Sequence, residues 1–137
     1  MTKAILDTNI LIALTIEDHE FHEEAVKKVN DIEIGLIPVN LLVEFIIVLK
    51  NLKISEEFII KKIEEFRDNF VFVEVFPEDF INAIEYSKRL GISLEEINDL
   101  ILISIAARTN SYLFTYDKKL ILAAKKLKIP IFDKSYF

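Results

Sequence analysis

Short apolar segments alternate with longer helical ones along this chain, and this alternation limits it to a few folds. Runs rich in Ile, Val, Leu and Phe predict strands at residues 4–6, 34–37, 70–75, 112–115 and 129–132. Segments between them predict helices at 19–30, 40–51, 54–68, 78–90 and 117–127, and one that ends near 109 and begins at either 93 or 98. Strands joined by helices need crossover connections, which produce a parallel sheet covered on both faces. We therefore predict a three-layer α/β/α sandwich around a parallel sheet of about five strands.

The chain reads as one domain over residues 1–137, because it contains no repeat, low-complexity segment or flexible linker. The absence of cysteine excludes disulfides and thiolate metal sites, so any metal must be held by oxygen or imidazole ligands. No apolar run is long enough to cross a membrane, and the apolar start is too short for a signal peptide. We expect a cytoplasmic protein.

The net charge of −6 argues against a broad basic groove for nucleic acid. It does not exclude a nuclease, since a metal site concentrates acidic residues and the bound metal restores positive charge.

Two acidic residues follow predicted strands, where parallel sheets bind their ligands. Asp7 directly follows the first strand and precedes Thr8 and Asn9, and Asp117 lies two residues after Thr115 where a strand gives way to a helix. Each Asp is equally suited to cap a helix, Asp7 for residues 10–14. Thr115 also fits an ordinary strand position.

Two further acids lie in helices that are otherwise apolar. Glu44 is surrounded by Leu, Val, Phe and Ile, which predicts a mostly buried helix, and a buried carboxylate is costly unless it is paired or bound to metal. Asp99 precedes another apolar run at 100–107. The alternatives are that Glu44 marks a solvent stripe or pairs with Lys50, and that Asp99 is a first-turn acid favoured by the helix dipole.

These four acids indicate a site only when they are taken together. Carboxylates that converge from separate elements repel one another, and a hard cation with oxygen ligands relieves that repulsion. Mg²⁺ or Mn²⁺ fits such a site. The chemistry that follows is metal-assisted hydrolysis of a phosphodiester.

With these residues and their neighbours, the chain resembles the PIN domain family along its whole length. Its Leu-Asp-Thr-Asn at 6–9 is similar to the opening motif of that family, and Glu44 resembles the second acid. Asn-Asp-Leu at 98–100 resembles the third acidic motif, and Thr-Tyr-Asp at 115–117 resembles the closing Thr-x-Asp motif. Each motif is weak alone, whereas the ordered set is fairly specific.

The resemblance implies a metal-dependent ribonuclease, often the toxin of a VapBC-type toxin–antitoxin pair. Carried over by residue, it implies that the metal is held by Asp7, Glu44, Asp99 and Asp117. Thr8, Asn9 and Thr115 would orient carboxylates or water, and either Asp99 or Asp117 would act on the attacking water. It further implies an RNA substrate, a small antitoxin protein with an Arg near the carboxylates, and a homodimer.

Lys118 and Lys119 begin a lysine-rich helix beside the predicted site and are candidates for contacts to RNA phosphates. The alternative is a solvated helix face. His19 and His22 are three residues apart, but an exposed pair of this kind is rarely a metal site.

Two other readings compete with the ribonuclease. One is a catalytically silent PIN-like scaffold that binds RNA or protein. The other is a phosphatase similar to haloacid dehalogenases, which places a second acid two residues after the first, where this chain has Asn9.

Overall fold

The computed structural model of the protein describes residues 2–132. Its sheet has the strands β1 (Lys3–Leu6), β2 (Ile34–Pro38), β3 (Val71–Val73) and β4 (Tyr112–Phe114). All pairs are parallel, and the strand order is β3-β2-β1-β4. The helices are α1 (Thr8–Thr15), α2 (His22–Val29), α3 (Val39–Asn51), α4 (Glu56–Asn69), α5 (Pro77–Leu90), α6 (Ile97–Thr109) and α7 (Lys118–Lys126).

Strand β1 lies at the centre of the sheet and is buried on both faces. Successive side chains of a strand point to opposite faces. Accordingly, Ala4 and Leu6 pack in a core with residues of α1, α3 and α4, while Ile5 packs in a second core with residues of α5, α6 and α7. This arrangement confirms the predicted three-layer α/β/α fold with a parallel sheet.

The sheet of the described residues has four strands, so the prediction of about five needs a small correction. In the segment predicted as the fifth strand, Ile131 forms a single parallel bridge with Leu113. The Leu113 N–H donates to the Pro130 carbonyl, and the Phe132 N–H donates to the Leu113 carbonyl, both at 2.9 Å. Pro130 has no N–H to extend the ladder.

Several helix starts differ from the predicted ones. Helix α1 begins directly after Asp7 and spans more than residues 10–14. Helix α2 begins at His22, because residues 16–21 form turns that connect it to α1. Ser93 caps a short 3₁₀ turn, Leu94–Glu96, and α6 follows from Ile97, so neither predicted start was right.

Helix α3 is less buried than its composition predicts. Leu41, Leu42, Phe45 and Leu49 are buried, whereas the opposite face carries exposed apolar side chains, with Val43 57% exposed. The prediction of a mostly buried helix was therefore wrong, because this helix contacts the core with only one stripe of residues. Among residues 2–132, no helix combines the length and apolar character that a membrane crossing requires.

Candidate active site

Four acidic side chains from four elements line one open depression of about 340 Å³ at the carboxyl end of the sheet. Asp7 follows β1, Glu44 lies in α3, Asp99 lies in the first turn of α6, and Asp117 precedes α7. The remaining lining residues are Thr8, Asn9, Ile12, His19 and Val48. Parallel strands end at the same edge of a sheet, which is why elements distant in the chain deliver these acids to one place.

Asp7 is buried and held at both carboxylate oxygens. The Thr8 N–H donates to Oδ1 at 2.7 Å, while Oδ2 accepts from Thr115 Oγ1 at 2.6 Å and from Asn9 Nδ2 at 3.2 Å. Burial raises the pKa of Asp7 and outweighs these hydrogen bonds, and the charges of Glu44 and Asp117 raise it further. Asp7 is therefore both the N-cap of α1 and a rigidly oriented carboxylate.

Asn9 and Thr115 connect the two edges of this arrangement. Asn9 Nδ2 donates to Thr115 Oγ1 at 3.2 Å, and Asn9 Oδ1 accepts from the Tyr116 N–H at 3.2 Å. The Asp117 N–H also donates to Thr115 Oγ1, at 3.0 Å. The side chains of Asn9 and Thr115 thus bind the start of α1 to the segment that leads into α7.

Glu44 is half-buried and accepts a 2.7 Å hydrogen bond from Thr8 Oγ1 at its Oε2. It does not pair with Lys50, because that lysine pairs with Glu56 at 3.2 Å. Thr8 therefore orients Glu44, while its backbone amide supports Asp7.

Asp99 is half-buried at the wall of the depression. Burial raises its pKa to about 7, and the charges of Asp7, Asp117 and Glu96 add to the shift. A raised pKa of this size indicates that the ionised form lacks compensation from the protein.

Asp117 caps α7, as its position after a strand predicted. Its Oδ1 accepts from the Lys119 N–H at 2.9 Å and from the Leu120 N–H at 3.4 Å. Its charge also acts on Asp7 and Asp99. Capping and membership of the acidic cluster are therefore compatible in this residue.

The cluster lacks a basic partner. In the part of the chain that the structure describes, every ion pair lies elsewhere, and none includes Asp7, Glu44, Asp99 or Asp117. Within residues 2–132, no three or more acidic or histidine side chains are grouped closely enough to form a complete metal site by themselves. The arrangement is a half-open group of carboxylates with uncompensated negative charge.

The predicted lysines lie beside the depression and do not line it. Lys118 and Lys119 are exposed at the start of α7, and Lys119 lines an adjacent pocket together with Asp99. The Nδ1–H of His22 donates to the Ala13 carbonyl at 2.7 Å, and the depression is lined by His19 and not by His22. The two histidines therefore do not form a pair of ligands.

Sequence reasoning missed a buried pair, Asp79 and Arg108. Asp79 is completely buried and accepts from Arg108 Nε at 3.0 Å and from Ser104 Oγ at 2.8 Å. In the sequence, Asp79 looks like an ordinary first-turn acid of α5. The pair lies 29 residues apart in the chain, and no local pattern connects its members.

The family model for the PIN domain matches residues 4–126 of this chain. No curated protein sequence matches the chain at a significant level.

Solved structures match the fold over nearly the whole chain. Mycobacterium tuberculosis VapC20, a toxin that cleaves the sarcin–ricin loop, has a TM-score of 0.75 at 13% identity and covers 88% of this chain and 94% of its own. VapBC2 from Rickettsia felis, bound to promoter DNA, has a TM-score of 0.66 at 17% identity, with 94% of both chains covered. FitAcB from Neisseria gonorrhoeae has a TM-score of 0.66 at 15% identity, with 98% of this chain and 99% of its own covered. At these identities, the similarity establishes the fold.

Proposed function

The chain belongs to the PIN domain family, and from this premise we propose that it is a divalent-metal-dependent endoribonuclease that hydrolyses RNA phosphodiester bonds. The observation that carries the proposal is the convergence of Asp7, Glu44, Asp99 and Asp117 on one depression without any basic partner among the described residues. Uncompensated carboxylates in one place destabilise a fold, so their grouping favours an external cation.

The donor set fits Mg²⁺ or Mn²⁺. All four candidate ligands are carboxylates, which hard divalent cations prefer, and the chain contains no cysteine. Mg²⁺ usually retains several waters and is held by one or two carboxylates, so a half-open group suits it better than a closed cage. When bound, the cation would offset charge on the phosphate and lower the pKa of a coordinated water.

The residues of the chain would then position the reaction. In hydrolysis, a water oxygen bonds to phosphorus while one P–O ester bond breaks; the water loses a proton and the leaving oxygen gains one. Asp7 would stay fixed by Asn9 and Thr115, and Glu44 by Thr8.

Asp99 or Asp117 would accept the proton of the water. Among the described residues, Asp99 shares a side-chain hydrogen bond with Glu96, and no donor contacts Oδ2 of Asp117. Both carboxylates therefore have an oxygen available to a water molecule.

Lys118 and Lys119 would meet phosphates of the RNA on either side of the depression. They are exposed, lie next to Asp117, and introduce positive charge at the edge of an acidic cleft. Such contacts add affinity without reading sequence.

We further propose that the protein acts in the cytoplasm as the toxin of a VapBC-type pair. The support is the fold shared with VapC20 and with the VapBC2 and FitAcB assemblies. A small antitoxin would cover the depression and direct an Arg at the carboxylates. The exposed apolar face of α3 favours a homodimer as well. The toxin role predicts that expression of the protein arrests growth and that a small protein encoded by a neighbouring gene relieves the arrest. The homodimer predicts a dimeric mass by light scattering.

The activity is tested by incubating purified protein with mixed tRNA and rRNA in Mn²⁺, Mg²⁺ or EDTA. The test variant is Asp99→Asn, and the matched control is Asp68→Asn, which changes an exposed aspartate of α4. We expect cleavage that needs metal, disappears in Asp99→Asn and persists in Asp68→Asn. Cleavage that ignores EDTA would contradict the proposal. Absence of both cleavage and metal binding would favour the silent scaffold.

A further inference from the structure

His19 occupies a place in the depression that the carboxylate chemistry does not explain. It lies in the connection between α1 and α2, is half-buried, and lines the same depression as the four acids. The depression holds few groups that attract a phosphate, since its ionisable lining is otherwise acidic.

The imidazole of His19 is held in one tautomer. The Phe21 N–H donates to His19 Nδ1 at 3.0 Å, so Nδ1 carries a lone pair and no hydrogen. In a neutral imidazole the hydrogen then resides on Nε2. The ring also contacts Phe21, with centroids 5.9 Å apart, and Phe21 packs on Tyr116 at 4.6 Å. Nε2 is thus the donor atom of His19, and the Phe21 ring packs against the imidazole.

Other side-chain donors that line the depression are already used. Thr8 Oγ1 donates to Glu44, and Asn9 Nδ2 donates to Asp7 and to Thr115. Among the described residues, no protein acceptor receives the hydrogen of His19 Nε2. His19 therefore offers the depression a side-chain N–H that has no partner within the described protein.

We propose that His19 binds the RNA substrate by donating its Nε2–H to a non-bridging phosphate oxygen at the depression. An RNA strand that reaches the carboxylates brings an anionic phosphate into an anionic cleft, and a neutral donor compensates part of that cost without repelling the cation. The inference rests on the proposed ribonuclease function and adds a substrate-binding residue to it.

Two conservative variants separate this role from a structural one. In His19→Asn, the side-chain oxygen replaces Nδ1 as the acceptor for the Phe21 N–H, while the donor at Nε2 is lost. In His19→Gln, an amide N–H₂ reaches the position of Nε2, while the acceptor at Nδ1 is lost. His22→Asn is the matched control, because it keeps a donor for the Ala13 carbonyl and lies outside the depression.

Binding is measured by fluorescence anisotropy with fluorescein-labelled single-stranded RNA of U-only, A-only and mixed sequence. All variants are made in the Asp99→Asn background with Mg²⁺ present, which prevents cleavage. We expect His19→Asn to weaken binding about 10-fold, the scale of a hydrogen bond to a charged group. His19→Gln should retain most of the affinity, and the loss should be equal for all sequences, as a phosphate contact requires.

Rates of RNA cleavage by His19→Asn and His19→Gln in the otherwise unchanged protein complete the test. We expect the Asn variant to lose activity mainly through KM, with partial rescue by Gln. Wild-type binding by His19→Asn, rescue by Asn in place of Gln, or a loss confined to one sequence would overturn the phosphate contact while leaving the nuclease intact. If the unmodified protein cleaves no RNA, and the Asp99→Asn parent binds none, the proposed function fails and the inference fails with it.

Discussion

Two buried aspartates of this protein, Asp79 and Asp7, show opposite solutions to the same problem. Asp79 is completely buried between α5 and α6, where it accepts hydrogen bonds from the Phe76 N–H, Ser104 and Arg108. Burial would raise its pKa, but these partners, with Arg108 the largest contributor, bring the pKa below its ordinary value. The Arg108 guanidinium also lies 4.3 Å from the centre of the Phe76 ring.

Asp7 is almost as buried, at 7% exposure, yet all of its hydrogen-bond donors are neutral. Its pKa is raised, and other acids surround it. Arg108 therefore compensates the buried charge of Asp79, whereas no cationic side chain among the described residues pairs with Asp7 at the depression. An external divalent cation, as proposed above, would supply the positive charge that the described residues do not provide at Asp7.

The largest effect we expect is on activity. Asp7→Asn should reduce metal-dependent RNA cleavage by roughly 1000-fold, comparable to removal of a key electrostatic group in other active sites. Asn still caps a helix, so the fold should persist. Initial rates and circular dichroism of the same samples check this. Activity within a few-fold of wild type would contradict the assignment of Asp7 to the site.

Breaking the Asp79–Arg108 pair should instead lower the stability of the fold. Asp79→Ala leaves Arg108 without its carboxylate and should lower the free energy of unfolding by about 3 kcal/mol. Urea unfolding measures this, with the exposed neighbour change Glu78→Ala as control. Cleavage per folded molecule should be unchanged. A loss of activity larger than the loss of folded protein would show that the two regions are coupled.

The raised pKa of Asp99 predicts that its contribution to the stability of the metal-free protein decreases as the pH rises, which is the reverse of the usual behaviour of a carboxylate. Between the ordinary pKa of 3.8 and about 7, the folded state holds a proton on Asp99 that the unfolded state has released. The contribution of Asp99 to stability therefore falls as the pH rises through this window. Asp79 contributes in the opposite sense, and its contribution is lost as the pH falls through its lowered pKa.

This dependence is measured by urea unfolding in EDTA at pH 5 and pH 7.5. Asp99→Asn should reduce the decline relative to wild type, and Asp68→Asn should not change it. In matched samples without EDTA, Mn²⁺ at ten times its dissociation constant should stabilise wild type by about 1.4 kcal/mol at the higher pH. Equal slopes for wild type and Asp99→Asn would contradict the account of Asp99.

The smallest expected effect concerns the lysines. Lys119→Ala should weaken RNA binding only a few-fold and lower the salt dependence by about one counterion. Lys61→Ala, an exposed lysine of α4, is the control. If both variants bind RNA equally well, Lys118 and Lys119 belong to a solvated helix face.

The sequence allowed the layered fold and the meeting of the acids to be predicted, because both depend on periodicity and on the common edge of parallel strand ends. Asp7 and Asp117 stand where strands end, so their convergence follows from topology. In the structure, Asp7 and Asp117 line the same depression. Their role as metal ligands stays a prediction.

What the sequence could not supply were contacts between distant side chains and the fine limits of elements. The Asp79–Arg108 pair depends on how α5 packs against α6, and composition does not record this. The exposed face of α3 could not be predicted for the same reason, because the sequence does not distinguish exposed apolar residues such as Val43 and Ile47 from core residues. The last predicted strand became a single bridge at Ile131, next to a proline that donates no hydrogen bond.

Calorimetric titration with Mn²⁺ shows directly whether the depression binds a cation that the solvent supplies. Wild type, Asp99→Asn and Asp68→Asn would be titrated at the same pH. The account predicts saturable binding to wild type and Asp68→Asn and at least about 10-fold weaker binding to Asp99→Asn, the lower range for loss of a supporting metal contact. Equal binding by all three proteins, or none by wild type, would contradict it.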